Sequence, residues 1–241
     1  MTYLLDDAAI LSSGQTVFRA ESKALSMQAD ELNGDFVSAV KTIIDCKGRV
    51  IISGMGKSGH IARKMAATFA STGTPAFFVH PGEASHGDLG MVTEEDVVIG
   101  ISNSGESKEL GDLIAYTARF NIPLISITKN PDSALGAAAS VLLLLPKEPE
   151  VGALGLAPTT STTMTLALGD ALAVAALECK GFTAEDFGNF HPGGKLGKNL
   201  LRIEELMHKG NDIPLAKPTD TMAHVLVTMT EKRFGCAGIV D

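Results

Sequence analysis

Basic residues are in short supply in this 241-residue chain: 20 Lys plus Arg stand against 28 Asp plus Glu, a formal net charge of −8. That balance excludes a surface built to neutralise nucleic acid or anionic lipid, so any anionic ligand is held by local donors. Cysteine is scarce too. Cys46, Cys179 and Cys236 are odd in number, far apart and without a C-x-x-C pair, which excludes a disulfide framework and a cysteine zinc site and makes a reducing cytoplasm the expected location. Long apolar runs are missing: the densest, residues 141–145, falls far short of the ~20 residues a bilayer crossing needs. The first ten residues, MTYLLDDAAI, carry two acids where a signal peptide carries basic residues. With 45% hydrophobic and only 20% charged residues, disorder is excluded as well. At roughly 100 to 200 residues per domain, the length suits one large domain, or one domain and a fragment.

What is present is a change of texture near residue 49. Before it, Ala8, Leu11, Val17, Leu25, Leu32, Phe36, Val40 and Ile44 recur at helical intervals, and Asn33-Gly34 marks a break, which predicts two N-terminal helices over residues 6–46. After it come five short apolar runs, at 49–53, 75–79, 96–102, 122–128 and 140–146, separated by amphipathic stretches near 57–72 and 106–120. Each run is apolar on both alternating faces, as a strand covered by helices on both sides requires, so the fold class is α/β: a three-layer, doubly wound, five-stranded parallel sheet with helices on both faces. A loop containing glycine and proline then leads into a long apolar helix that starts with the hydroxyl run Thr159, Thr160, Ser161, Thr162 and Thr163. Residues 188–199 form a glycine-rich basic loop, and residues 206–241 start a new pattern with a turn, a helix near 219–233 and a strand-like end. Lacking partner elements to close a core, that tail is read as the opening of a second, incomplete module, giving domains of 1–205 and 206–241.

Four features carry chemistry. Gly54, Gly56 and Gly59 have the spacing of a dinucleotide fingerprint, but the second strand ends in Phe78-Val79-His80-Pro81 and supplies no acid for ribose hydroxyls. A Walker A loop fails because Ile51 stands where its first glycine belongs. What remains is a turn whose amides and helix N-terminus face an anion beside Lys57 and Ser58, or glycines serving tight helix packing alone. The second feature, after the third strand, is ISNSGES: Ser102, Asn103, Ser104 and Ser107 offer short donors around Gly105 at a helix start, the composition of a phosphate turn, although serines also cap helices. Two such turns at neighbouring strand tips favour ligand binding, because open α/β sheets bind at that edge. Third, the hydroxyl run 159–163 serves either as a ligand site or as a helix cap. Fourth, His80, Glu83, His86, Asp88, Glu109, Glu148, Glu150 and His191 lie on loops near these turns, and are the equipment for proton transfer near neutral pH.

With these residues assembled, the chain resembles the sugar isomerase (SIS) fold, and closely the D-arabinose 5-phosphate isomerases of the KpsF/GutQ type. The likeness runs over about residues 8–205 and rests on GMGKSGHIARKMAATFASTGTPAFFVHPGEASHGDLGM, ISNSGESKEL, LAPTTSTT and NFHPGGKLG. The tail resembles the start of a cystathionine β-synthase (CBS) domain. The resemblance implies reversible conversion of D-ribulose 5-phosphate to D-arabinose 5-phosphate, the entry to Kdo synthesis for lipopolysaccharide or capsule, with no required cofactor. It matches Lys57, Glu109, Glu150 and His191 to catalytic positions. Gly73, Thr74, His80, His86, the segment from Asp112, Pro146, Lys147 and Glu148 match substrate-contacting positions. His80 also matches a position with which zinc is associated, although one histidine without a nearby cysteine is a poor zinc site.

Isomerisation requires a carbon base, an oxygen acid and an anchor for the phosphate. The expected division of labour places the 5-phosphate on Ser102, Ser104 and Ser107, with Thr159 to Thr162 completing the cradle. Glu150 is the first choice of base and His191 the second; Lys57 polarises the carbonyl, and Glu109 orients Lys57 or a substrate hydroxyl. Sites completed by neighbouring subunits, in a homotetramer, are expected from the long loops around His86 and His191. Two other readings stand beside this one: a SIS module that senses a sugar phosphate without turning it over, and an aminosugar-phosphate isomerase or deaminase. The N-terminal 45 residues lack the basic recognition helix that a DNA-binding sensor carries.

Overall fold

The computed structural model describes residues 5–191 and 203–241. Contacts divide the chain into two compact units, Met1–Phe190 and His191–Asp241, so the division falls before residue 205. The first unit opens with α1 (Asp7–Glu31) and α2 (Gly34–Asp45), separated at Asn33, whose side chain caps α2 by accepting the Asp35 N–H at 2.7 Å. There follow β1 (Val50–Gly54), α3 (Gly56–Ser71), β2 (Ala76–Phe78), α4 (Pro81–Ala84), β3 (Val97–Ile101), α5 (Gly111–Phe120), β4 (Leu124–Thr128), α6 (Ala134–Ala137) and β5 (Val141–Leu144). The long helix α7 (Thr160–Lys180) and the short α8 (Ala184–Phe190) complete the unit.

All five strands pair in parallel in the order β2-β1-β3-β4-β5. Side chains alternate across the sheet and feed two cores. Val50, Ile52, Val97, Ile99, Ile101, Ile125 and Ile127 pack with α1, α2, α3 and α7 on one face. Ile51, Val98 and Leu124 point the other way, to Leu110, Leu113 and Leu135. This is the physical content of strands apolar on both faces: each alternate residue enters a different core. α7 is long and apolar enough to cross a membrane by length and composition, but here it is a core helix, with Met164, Leu168, Leu172, Ala173 and Ala176 buried.

Chain order and spatial order diverge between β1 and β3. From β1 the chain goes outward to β2; from β3 it goes the opposite way to β4 and β5. Such a switch point opens a crevice beyond the carboxyl ends of the two central strands, since their following loops leave in opposite directions.

The glycine-rich loop expected over residues 188–199 is helical at its start, because α8 runs to Phe190. A capping box nucleates that helix: Thr183 N–H donates to Asp186 Oδ2 at 2.8 Å, and Asp186 N–H donates to Thr183 Oγ1 at 3.2 Å. Residues 192–199 of that loop lie outside the described residues. In the second unit, β6 (Leu215–Ala216) pairs in parallel with β7 (Gly238–Ile239), and α9 (Ile203–Leu206) and α10 (Met222–Lys232) are its α-helices among the described residues. The strand-like end therefore has a partner, in a segment expected from the sequence to be a turn. Pro214 and Ala216 are buried there, while Met222, Leu226, Val227 and Ile239 are exposed.

Candidate active site

The crevice at the switch point holds a cavity of about 170 Å³. Its walls come from three places far apart in sequence: Met55, Lys57, Ser58 and Ile61 around the start of α3; Asn103 after β3; and Pro158, Ser161, Thr162 and Thr165 around the start of α7. A wider groove of about 530 Å³, lined by residues 151–158, shares Lys57. Gly59 allows α3 to start so close to the sheet, since a Cβ there would lie 2.5 Å from the Gly54 carbonyl oxygen. Gly59 thus serves tight packing, and Lys57 stands exposed at the cavity.

Two helix N-termini meet at this cavity, and they are treated differently. α3 begins after Met55, which offers no side-chain cap, so its first amides and their positive partial charge face the space beside Lys57. α7 is capped by Glu150: Oε2 accepts the Thr159 N–H at 2.8 Å, the Ser161 N–H at 3.2 Å and the Thr159 hydroxyl at 3.3 Å. Burial pushes the Glu150 carboxyl upward, but hydrogen bonds from Ser161 and Thr159 and the Lys129 charge outweigh it and hold the pKa below the ordinary value. Oε1 of the same carboxylate is buried and has no hydrogen-bond partner, as are Asn103 Oδ1 and Thr160 Oγ1. Buried, unpaired polar atoms are costly, roughly 1–3 kcal/mol each; of these three residues Asn103 lines the cavity, and Glu150 and Thr160 belong to the cap and first turn of α7, whose Ser161 and Thr162 line it.

The turn after β3 is bonded to itself. Ser102 and Ser107 hydroxyls lie 2.9 Å apart, Ser102 Oγ accepts the Gly105 N–H at 3.1 Å, and Ser104 Oγ accepts the Glu106 N–H at 3.2 Å. Gly105 makes the turn possible, with φ +74° and a Cβ position that would collide with the Ser133 side chain. Ser104 is exposed, Ser102 is buried, and Asn103 is the turn residue that lines the cavity. In the hydroxyl run, Ser161 and Thr162 line the cavity, while Thr162 Oγ1 donates to the Thr159 carbonyl at 2.8 Å.

Other expected residues lie elsewhere. Glu109 is exposed and does not line the cavity beside Lys57, because its 3-10 turn, Lys108–Leu110, directs Leu110 into the core instead. His86 and Asp112 are exposed. His80 caps α4, its Nδ1 accepting the Gly82 N–H at 3.2 Å. No group of three or more His, Cys, Asp or Glu side chains able to hold a metal occurs among the described residues, so the surroundings of His80 do not fit a resident zinc. Pro146 is buried, Lys147 is exposed, and the Glu148 carboxylate pairs with Lys23 of α1 at 3.1 Å. Gly73 and Thr74 precede β2 and so sit at the opposite edge of the sheet from Lys57. There Lys180 Nζ donates to Thr74 Oγ1 at 2.8 Å, and Gly73 lines a separate pocket with Phe182 and Phe190. His191 belongs to the second unit.

Ile61 and Thr165 were not picked out from the sequence, although each lies one helical turn after a residue that was, Lys57 and Ser161. Lys129 was also missed; a lone lysine at a strand tip carries no sequence signal.

Residues 42–175 match the SIS domain family. The chain is 54% identical over 230 residues to the arabinose 5-phosphate isomerase KdsD of Escherichia coli (strain K12), covering 95% of this chain and 70% of that protein. It belongs to the arabinose 5-phosphate isomerase family of SIS-domain proteins. The KdsD of Yersinia pestis is 52% identical over the same shares of both chains. Among solved structures, an Escherichia coli CFT073 protein in complex with arabinose 5-phosphate superposes with a TM-score of 0.75 at 44% identity, covering 78% of this chain and all of that one. The family's fold, a parallel five-stranded sheet between helices, is the one described above.

Proposed function

We infer that the chain interconverts D-ribulose 5-phosphate and D-arabinose 5-phosphate through an enediol. The observation that carries this reading is that Lys57, on an uncapped helix N-terminus, and the start of α7, whose capping Glu150 keeps one unpaired oxygen, come together at one switch-point cavity. Glu150 is ionised near neutral pH, and Oε2 is occupied as a helix cap, so Oε1 is the atom free to take a proton from carbon. Negative charge then grows on the carbonyl oxygen. The ammonium of Lys57 and the α3 amides are fixed beforehand to receive it, which is the arrangement that lowers such a barrier most. Proton return to the neighbouring carbon, with a second proton passing between O1 and O2, completes the exchange; carbon and hydrogen balance within one skeleton, so no electron acceptor is needed.

The phosphate is assigned to the serine turn, where Ser104 is exposed and the hydroxyls of Ser102 and Ser107 exchange their mutual bond for phosphoryl oxygens. Asn103 and Thr162 flank the path between this turn and Lys57. His191, Glu109, His86, Gly73 and Thr74 enter the site from neighbouring copies in a homotetramer; that Thr74 and Lys57 lie at opposite sheet edges of one chain supports this arrangement. The expected setting is the cytoplasm, supported by free thiols at Cys46, Cys179 and Cys236. The product feeds Kdo synthesis, and the second unit belongs to a CBS module.

A coupled assay with ribulose 5-phosphate, ribose 5-phosphate and fructose 6-phosphate side by side tests the activity. Turnover of ribulose 5-phosphate is expected. Tight binding of one sugar phosphate without turnover of any would overturn the enzyme in favour of the sensor. Sedimentation of a fully active monomer would end the shared-site arrangement.

A further inference from the structure

We propose that Lys129, at the tip of β4, is a positioning residue that locks the serine turn and the Glu150 loop into one frame. Its main-chain N–H donates to the Asn103 carbonyl at 3.1 Å, holding the turn whose Asn103 side chain lines the cavity. Its Nζ donates to the Glu148 carbonyl at 2.7 Å, holding the segment that ends in Glu150. Thr128 reinforces both ties: its hydroxyl donates to the same Asn103 carbonyl at 3.3 Å, and its carbonyl accepts the Leu145 N–H at 2.9 Å. The Glu148 carboxylate is drawn the other way, to Lys23 at 3.1 Å, so residue 148 is held from two sides by ammonium groups. Two residues later stands the carboxylate that caps α7.

The main-chain tie survives any substitution of Lys129, whereas the side-chain tie does not. That separation makes the inference testable. An ammonium is also the right group for the place, since it has three donors and no acceptor and meets a carbonyl without adding a competing lone pair. Charged groups on the elements around Glu150 are few. They are Lys129 itself, Lys57 of α3, Lys147 and Glu148 of its own loop, and Lys23 of α1, which neutralises Glu148. The first turn of α7 adds no acid, only amides and hydroxyls. Loss of the Lys129 charge therefore leaves Glu150 with hydrogen bonds as its main stabilisation and makes its carboxyl more basic.

The proposal rests on Glu150 acting in the reaction, and its test separates the two ideas. Lys129→Met and Lys129→Arg are compared with wild type in the full chain, by carboxyl-carbon NMR titration of Glu150 without substrate and by the pH profile of kcat/KM. In Lys129→Met the Glu150 titration and the acid limb both move to higher pH, and kcat falls about 10- to 100-fold with a smaller change in KM, as expected for misplacement near 1 Å. Lys129→Arg restores both readouts. Lys129→Gln takes the place of Lys129→Met should the latter not fold. A Glu150 titration that stays put in the neutral variant overturns the proposal, and so does one that moves equally in Lys129→Arg. If the titration behaves as expected while no variant, wild type included, isomerises any sugar phosphate, the positioning role stands and the enzyme reading falls.

Discussion

Glu150 Oε2 accepts the Thr159 main-chain N–H at 2.8 Å, and so sits at the positive end of α7. The neighbouring positive end, at α3, has Lys57 beside it and no capping side chain. One cavity thus has an occupied helix terminus and an open one. Both termini carry the same kind of dipole, and they differ in whether a carboxylate already occupies it.

Replacing Glu150 by Gln is expected to lower kcat/KM by at least ~10²-fold, the usual worth of a positioned base. The same change weakens the α7 cap, with a stability loss of about 1 kcal/mol. Steady-state kinetics and denaturant unfolding read the two effects separately; retained activity would remove Glu150 as the base.

Lys57 is exposed and its side chain makes no structural hydrogen bond among those described, so Lys57→Ala should leave thermal stability within about 0.5 kcal/mol of wild type. Turnover should nevertheless drop by ~10² to 10³, the loss seen when a preorganised oxyanion donor is removed. Wild-type turnover in this variant would strip Lys57 of its polarising role.

Stability should depend on Glu150 in acid. Its folded-state pKa is below the ordinary 4.5 despite burial, through bonds from Ser161 and Thr159 and the charge of Lys129. The unfolded chain therefore takes up the proton first as pH falls. The contribution of this carboxylate is present above pH 4.5 and is lost as pH drops through the folded-state value. Thermal midpoints measured from pH 6 down to about 3 should show a steeper acid decline in wild type than in Glu150→Gln; parallel declines would count against it.

Gly59→Ala places a methyl group 2.5 Å from the Gly54 carbonyl oxygen, a backbone atom with little room to yield. A loss of about 1–3 kcal/mol is expected from such overpacking, together with lower activity as the first turn of α3, and Lys57 with it, is pushed from the sheet. Gly56→Ala is a different case: it meets no atom within 4 Å but carries a φ of +54°, so its penalty is conformational only. Chemical denaturation of the pair distinguishes contact from strain.

The five-stranded α/β layout was legible in the sequence, because each strand is apolar at consecutive positions and such a run fits only between two helical layers; Ile51 and Ile52 enter opposite cores as that reading requires. So was the glycine turn at Lys57, since a short strand, glycines and a helix start is a local pattern. The strand-like end at 238–239 was seen and its two-residue partner at 215–216 was not, because pairing of so short a strand depends on a distant segment rather than on local periodicity. What only tertiary structure decided is which polar residues meet. Sheet order brings Lys57, Asn103 and Ser161 to one cavity, while a 3-10 turn faces Glu109 to solvent and strand direction puts Thr74 at the far edge. Local sequence sets what each residue type is able to do, but the meeting of side chains is set by strand order and loop direction, which long-range packing alone determines.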